Sequence, residues 1–347
     1  MAPIIIPVFL PYLGCHHRCL FCNQRAPAEE VPSPSSLRKF IENSIKGLRC
    51  NGGREKQVAF YGGSFTAIDK EDQIRYLEAA RPFLTSRFID SIRISTRPDA
   101  LDEETLSLLK EYGVKTVEIG AQSMSDEVLS LSQRGHSAGD ILSSTSRLKQ
   151  WGFEVGLQLM IGLPGDTSDL FFQTLDRVID LKPDFLRIHP TLVLRGAPLE
   201  ILWRAGGYFP LSLGEAIEWL KKGLLKLERS GIPVARMGLQ PTPELERNLL
   251  AGPYHPALHQ LVDSEIAFDM ATDLLRNHSE GSDACFFCHP QEVSTLRGQR
   301  NGNLLKLRDQ FHLKEISIQV RLDLEKGTLL LQTRSGMVYM KRENLIS

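Results

Sequence analysis

Three cysteines stand within eight residues near the start of the chain, in the run Cys15-His16-His17-Arg18-Cys19-Leu20-Phe21-Cys22, and they are half of the six in the sequence. Thiols at this spacing in a cysteine-poor chain suit a metal or iron–sulfur centre better than disulfides. Structural zinc sites and ordinary four-iron clusters take four protein ligands, so three thiolates leave one metal position for a ligand that is not protein. An open iron is a place for chemistry. His16 or His17 could instead complete a zinc knuckle, and the spacing alone leaves both fillings open.

The elements that must position this loop are those of a large soluble chain. With 347 residues, 42% of them hydrophobic, there is material for one large domain and a smaller one without help from disulfides. The net formal charge is -1, from 41 basic and 42 acidic residues, which decides nothing about nucleic acid because a local basic patch can hide in a neutral total. The apolar run from Ile4 to Leu10 lacks a basic flank and is cut by Pro3, Pro7 and Pro11, so it predicts a buried strand rather than a signal peptide. No run is long enough to span a bilayer. A cytoplasmic, reducing location without membrane contact is the expectation.

After a Pro- and Glu-rich stretch from Ala26 to Ser36, Leu37, Phe40, Ile41, Ile45 and Leu48 recur at helical spacing. Strands are expected at Gln57 to Tyr61, Ser91 to Ser95, Thr116 to Ala121, Glu154 to Ile161 and Phe185 to Ile188, with helical patterns between them. Together with the first run these make six strands alternating with helices. That order predicts a parallel sheet with right-handed crossovers, either a partial (β/α) barrel or a doubly wound sheet.

In such folds ligands bind past the C-terminal ends of the strands, and here those positions are rich in Gly and polar residues. Gly62-Gly63-Ser64 could let the backbone approach a ligand, or be only a turn. Ser95-Thr96-Arg97-Pro98-Asp99 offers a permanent guanidinium beside a rigid proline. Glu118 and Gln122 share the parity that points into a barrel, and the structural alternative for Glu118 is a salt bridge to Arg97. Arg134-Gly135-His136 follows a helix and reads most simply as a C-cap with a solvated histidine. Gly162-Leu163-Pro164-Gly165 makes an apolar turn that suits an adenine ring, while Met160 could be plain core. His189 closes the sixth strand at the same rim.

Taken together, Gly62-Gly63-Ser64-Phe65, Ser95-Thr96-Arg97-Pro98-Asp99, Glu118-Ile119-Gly120-Ala121-Gln122-Ser123, Arg134-Gly135-His136, Gly162-Leu163-Pro164-Gly165 and Pro190-Thr191-Leu192-Val193-Leu194-Arg195-Gly196 resemble, in this order, one branch of the radical S-adenosylmethionine (radical SAM) superfamily. The branch is that of the catalytic subunit of Elongator, a tRNA wobble-uridine enzyme, and the likeness runs from Cys15 to Glu215. The resemblance implies a partial (β/α)6 TIM-like barrel in which Cys15, Cys19 and Cys22 hold a [4Fe–4S] cluster whose fourth iron takes SAM. By the same resemblance Gly62, Gly63 and Ser64 face the methionine amino group, and Ser95, Arg97 and Gln122 serve its carboxylate or the ribose. Gly162 and Pro164 flank the adenine, and Glu118 and His189 stand on the substrate side. An electron donor such as flavodoxin or ferredoxin would reduce the cluster and cleave SAM to a 5′-deoxyadenosyl radical. Two departures stand out: Cys15 and Cys19 are closer than in Elongator, and no acetyltransferase domain is expected, so carboxymethylation does not carry over.

Three segments are expected: the barrel over 1–212, a helical extension over 213–280 and a small α+β domain over 281–347. His255, in the turn-rich stretch after Gly252, braces a loop or serves the site. Cys285-Phe286-Phe287-Cys288-His289 matches a haem-attachment string, yet its apolar, turn-flanked setting predicts a strand with core thiols. The stretch from Leu296 to Arg308, followed by strands at Ile316 to Leu322 and Thr328 to Gln332, resembles a KH module with Gly298-Gln299-Arg300-Asn301 as its backbone-clamping loop and Lys306 beyond it. Asn301 replaces the second glycine and can enter the same left-handed geometry. From Cys285 onward ten Lys or Arg face six Asp or Glu, a local surplus of +4. The expected function is therefore a radical SAM enzyme acting on tRNA or ribosomal RNA, with no DNA partner. The alternatives are a small-molecule or peptide substrate, and an idle barrel in an RNA-binding iron–sulfur protein.

Overall fold

The computed structural model describes residues 3–23, 32–47, 53–278, 283–334 and 336–345. Most of the Pro- and Glu-rich stretch after Ala26, together with Leu48, Gly281 and Ser282, lies outside them. The chain divides into two compact units, one of residues 1–211 and 232–253 and the other of 212–231 and 254–347, so the segment 213–280 contributes to both.

The first unit is built on a sheet of parallel strands β1 (Ile4–Leu10), β2 (Lys56–Gly62), β3 (Ser91–Thr96), β4 (Val114–Gln122), β5 (Glu154–Ile161), β6 (Phe185–Pro190) and β8 (Val234–Met237), neighbours in that order. A short ribbon pairs β7 (Val193–Leu194) with β9 (Leu249–Ala251). Six barrel strands were expected from the sequence. Val234–Met237, in the segment where the sequence allows a strand up to Gly238 after the Gly231-Ile232-Pro233 break, adds a seventh, paired parallel to β6. The result is a TIM-like half barrel.

Burial explains why these segments are strands. The outward side chains of β1 to β5 (Ile6, Val8, Val58, Phe60, Ile92, Ile94, Val117, Ile119, Val155, Leu157) are almost wholly buried. Their inward neighbours are polar or small: Gln57, Tyr61, Arg93, Glu118, Gly156, Gln158, Arg187 and His189. β1 lies at the sheet edge, the one place where Pro7 costs no ladder hydrogen bond. Gly156 leaves space for the Phe185 ring, which a Cβ would meet at 2.2 Å, and Arg93 lies over that ring. The helices between strands start on side-chain caps. Asp102, Ser125, Ser137 and Thr167 each accept a backbone N–H of the first turn, and Ser137 with Asp140 completes a capping box.

In the second unit helices Leu213–Arg229 and Leu258–His278 pack together, and Arg342 bridges them through Glu228 and Asp263, both at 2.8 Å. A four-stranded sheet has the order β11 (Glu315–Val320), β10 (Asp283–Cys288), β12 (Thr328–Thr333), β13 (Gly336–Lys341), with β10 parallel to β11 and antiparallel to β12. Between β10 and β11 run helices Val293–Arg297 and Gly302–Phe311. β10 is the strand expected at Cys285, and burial raises the Cys288 thiol to about 11, as befits an unreactive core group. β13 has no counterpart in the sequence reading.

Candidate active site

The cysteine loop leaves β1 through a tight backbone interlock. Ser64 N–H donates to Leu13 O at 2.9 Å, Gly63 is pressed so close that a Cβ would lie 2.0 Å from that oxygen, and a Cβ on Gly14 would lie 2.3 Å from Ser64 O. Gly14 also has φ +73°, a region favouring glycine. The Gly-Gly after β2 is therefore more than a turn: it is the cradle against which the residues before Cys15 are seated. Ser64, fully buried, spends its hydroxyl on Thr96 Oγ1 (3.0 Å) and on the Arg97 N–H (3.2 Å).

A second wall comes from residues 132–136. Leu20 N–H donates to Ser132 O, Arg134 Nη1 lies 3.0 Å from Cys19 Sγ, and Arg134 Nη2 donates to Gly120 O at 2.7 Å. The His17 ring lies over Gly135, where a Cβ would meet it at 2.4 Å. The sequence read Arg134-Gly135-His136 as a cap with a solvated histidine. Instead Arg134 and His136 are buried, because the turn at Gly135 folds them back over the cysteine loop and the end of β4. Phe21 joins two apolar clusters, one with Leu20, Val193, Leu199 and Tyr208, the other with Val128, Met160 and Leu163, so Met160 is core.

The net effect of its surroundings is to raise the Cys15 thiol above its ordinary value. Burial, then the neighbouring Cys19, push the Cys15 thiol up, while the guanidiniums of Arg97 and Arg134 pull it down. None of the described cysteines is in a disulfide. Among the described residues no three His, Cys, Asp or Glu side chains, those of Cys15, Cys19 and Cys22 included, are gathered closely enough to hold a metal ion. The match to the cluster rests on the donor chemistry, three soft thiols on one loop beside two cations.

The rest of the rim is laid out by strand ends. Arg97 is bidentate to Asp99 at 2.9 and 2.8 Å; burial works against that carboxylate, but Arg97 outweighs it and holds Asp99 below its usual range. Gln122, beyond a break in the β4 register, takes φ +70° and accepts from Gln158 at 3.4 Å. Ser95, half-buried, pairs in register with Glu118. Gly162, φ +71°, gives its carbonyl to Tyr208 and its N–H to Asp166, and Pro164 is half-exposed beside it.

Deeper in the barrel, Glu118 is 3% exposed, and in place of the alternative pairing with Arg97 it has a different set of partners. Arg93 Nη1 donates to Oε1 at 2.7 Å, Arg187 Nε lies 2.7 Å from Oε2, and Tyr61 OH donates to Oε1 at 2.9 Å. Arg97 sits past the end of β3 and turns to Asp99, whereas Arg93 and Arg187 share the inner face with Glu118. His189 occupies that face too. Burial, then Arg187 and Arg236, lower it to about 4, and its Nε2 is buried without a hydrogen-bond partner among the described residues.

His136 carries a pH prediction. Burial, then Arg134 and Arg97, lower it from 6.5 to about 4, against the pull of the Ala121 carbonyl. The folded state binds fewer protons than the unfolded chain, so this contribution is intact above pH 6.5 and lost as pH falls towards 4, reaching about 3 kcal/mol. Urea midpoints measured across that window should fall less steeply in His136→Gln than in the parent protein.

In the second unit the loop expected between two helices is there. Gly298 (φ +71°), Arg300 (φ +52°) and Asn301 (φ +63°) are left-handed, the geometry anticipated for Asn301. Gln299, Arg300 and Asn301 are exposed and border a groove of about 410 Å³ with Arg297 and Gln260. His255 Nδ1 accepts from Ala257 N–H, and its Nε2 lies 3.1 Å from the Gln299 amide, so His255 braces this loop. Lys306 is engaged with Glu265 at 3.2 Å and covers Phe268.

The model of the radical SAM superfamily matches residues 9–178, and that of the radical SAM C-terminal domain matches 183–267. The chain is 37% identical to the tRNA uridine(34) acetyltransferase of Methanocaldococcus infernus, covering 58% of this chain and 45% of that protein. It is 34% identical to Elongator complex protein 3 of Bos taurus, covering 50% and 36%. Among solved structures, the archaeal Methanocaldococcus infernus Elp3 superposes with a TM-score of 0.58 at 23% identity, over 77% of this chain and 63% of that one, a likeness of fold. The chain spans about half the length of the tRNA uridine(34) acetyltransferases it matches. No helix among the described residues is long and apolar enough to cross a membrane. The chain thus belongs to the radical SAM superfamily, whose enzymes work with a [4Fe–4S] cluster and S-adenosylmethionine, and within it resembles the branch of the Elongator catalytic subunit.

Proposed function

We propose that this radical SAM enzyme modifies RNA, with tRNA or ribosomal RNA as its substrate class. The observation that carries the RNA reading is the exposed Gly298–Asn301 loop between two helices in a segment with a +4 surplus. The tRNA-directed names of the relatives point the same way.

Cys15, Cys19 and Cys22 would hold the cluster, which when bound would supply one-electron reductive cleavage of SAM and so radical removal of hydrogen from the substrate. Gly62, Gly63 and Ser64 present backbone to the methionine end of the cofactor. Ser95, Arg97 and Gln122 lie towards its carboxylate and ribose, and Gly162 and Pro164 towards the adenine. Glu118 fixes the guanidiniums of the inner face, and His189 stands on the substrate side. Arg297 and Arg300 meet phosphates, while Gln299 and Asn301 shape the loop; Lys306 contributes charge nearby. A flavodoxin or ferredoxin supplies the electron in a cytoplasmic setting.

Arg297→Glu with Arg300→Glu should weaken tRNA binding in a gel shift by at least about tenfold at moderate salt and reduce the salt slope by about two. SAM cleavage without RNA should be unaffected. Unchanged binding would exclude the loop as the RNA contact. Mass spectrometry of nucleosides from a deletion strain identifies the modified base, and an unaltered nucleoside profile would favour a small-molecule or peptide substrate.

A further inference from the structure

Across the inner face of the half barrel, one level below the Gly62-Gly63 cradle, four side chains form a row. Phe9 on β1 is 58% exposed, unusual for a ring on an inner face, and lies 6.4 Å from the Tyr61 ring on β2. Tyr61 reaches over the sheet to β6, where Arg187 Nη2 donates to its hydroxyl at 3.1 Å and the guanidinium lies 5.5 Å from the ring centre. Arg187 pairs in register with Arg236 on β8. The row therefore runs from an uncovered aromatic face to two neighbouring guanidiniums.

Its charge is not balanced. Arg93 and Arg187 share one carboxylate, Glu118, no carboxylate among the described residues forms an ion pair with Arg236, and Glu154 lies a layer lower and is tied to Thr116. The Arg236 side chain has a neutral partner, Gln240, at 2.6 Å. Burial, then repulsion from Arg187, make its charged form costly. His189, two residues beyond Arg187 on the same face, has a buried Nε2 without a hydrogen-bond partner among the described residues. An exposed flat apolar ring, a guanidinium without a carboxylate beside one that shares its carboxylate with Arg93, and an unused imidazole nitrogen together describe complementarity to a base joined to a phosphate.

We propose that this row is the binding site for one nucleotide unit, its base against Phe9 and Tyr61 and its phosphate on Arg187 and Arg236, with His189 Nε2 hydrogen-bonding the same ligand. The inference deepens the RNA reading and rests on it for the source of the nucleotide, a residue of the RNA placed in the barrel.

The test uses cluster-loaded protein, saturated with SAM and kept free of reductant, titrated calorimetrically with UMP, uridine and ribose 5-phosphate. UMP is chosen because it lacks the adenine for which SAM has its own site. UMP should bind about tenfold tighter than ribose 5-phosphate, from stacking of the base. Phe9→Leu should erase that advantage. Arg236→Gln should weaken both phosphate ligands by about tenfold and leave uridine unchanged. Phe9 is exposed and Arg236 half-buried, so both variants should fold, which equal SAM binding confirms.

Failure of UMP to bind at millimolar concentration, or UMP binding that neither variant alters, overturns the site. The two readings separate cleanly. tRNA binding without UMP binding refutes the row and leaves the RNA reading standing. UMP binding with the expected variant effects, but without any RNA bound or modified, upholds the row and makes a free nucleotide the substrate.

Discussion

Glu118→Ala should destabilise the protein by about 3–5 kcal/mol, the cost of stripping one partner from a buried ion pair. The carboxylate is only 3% exposed and accepts charge-assisted contacts from Arg93 and Arg187 and a hydrogen bond from Tyr61. The Arg93 side chain is 5% exposed and that of Arg187 18%, so neither can recover its loss from water. For a unit of this size the shift in Tm should be on the order of 10 °C. Glu118→Gln keeps the volume and one acceptor oxygen but removes the charge, and should fall between the parent and the alanine variant.

The pair of variants also separates structure from chemistry. Should Glu118→Gln leave the Tm within a few degrees of the parent while SAM cleavage persists and substrate turnover disappears, Glu118 acts on the substrate. If turnover declines only in proportion to folded protein, its role is to hold the guanidiniums of the inner face. Combining Glu118→Gln with Arg93→Met should restore part of the lost stability, because a buried charge without a partner is then replaced by apolar packing. A double variant less stable than the sum of the two singles would refute the ion-pair account.

How much of this could be read in advance depended on the range of the interaction. The barrel strands were legible because parallel strands buried on their outer face carry runs such as Val58 to Phe60 and Val155 to Leu159, bounded by Gly and Pro. That Glu118 points inward followed from alternation. Which arginine meets it did not, since Arg97 lies nearer the strand end, and only the curl of the sheet brings Arg187, 69 residues away, to the carboxylate. Arg134 shows the same limit more strongly. Its contact with Cys19 spans 115 residues and depends on a left-handed turn at Gly135, while locally it follows a helix as a cap would. The exposure of Phe9 was concealed by its apolar run, in which alternate residues face opposite sides of an edge strand.

Gly63→Ala should cost SAM cleavage about a hundredfold, the penalty that a displacement near 1 Å imposes on a reacting centre. The displacement follows from the packing: an added Cβ would sit 2.0 Å from Leu13 O and must be moved to at least 3.0 Å, and the obstacle is backbone, which cannot rotate away. Leu13 and Gly14 lead directly into Cys15, so the shift is passed to the first thiol of the loop. Gly62→Ala is a useful contrast. It meets Leu10 at 3.1 Å and carries its strain in φ, +112°, so it should lose about 1–3 kcal/mol of stability with a smaller effect on the loop.

Iron content decides what Gly63 does. If the cradle seats the cysteine loop, Gly63→Ala will bind less iron on anaerobic reconstitution and show a weaker cluster absorbance, and cleavage will fall with it. If Gly63 chiefly contacts the cofactor, iron loading will match the parent and only SAM affinity will drop. Full iron loading together with cleavage within a few-fold of the parent would remove both accounts, and with them the argument that the residues before Cys15 owe their position to the absence of a side chain at Gly63.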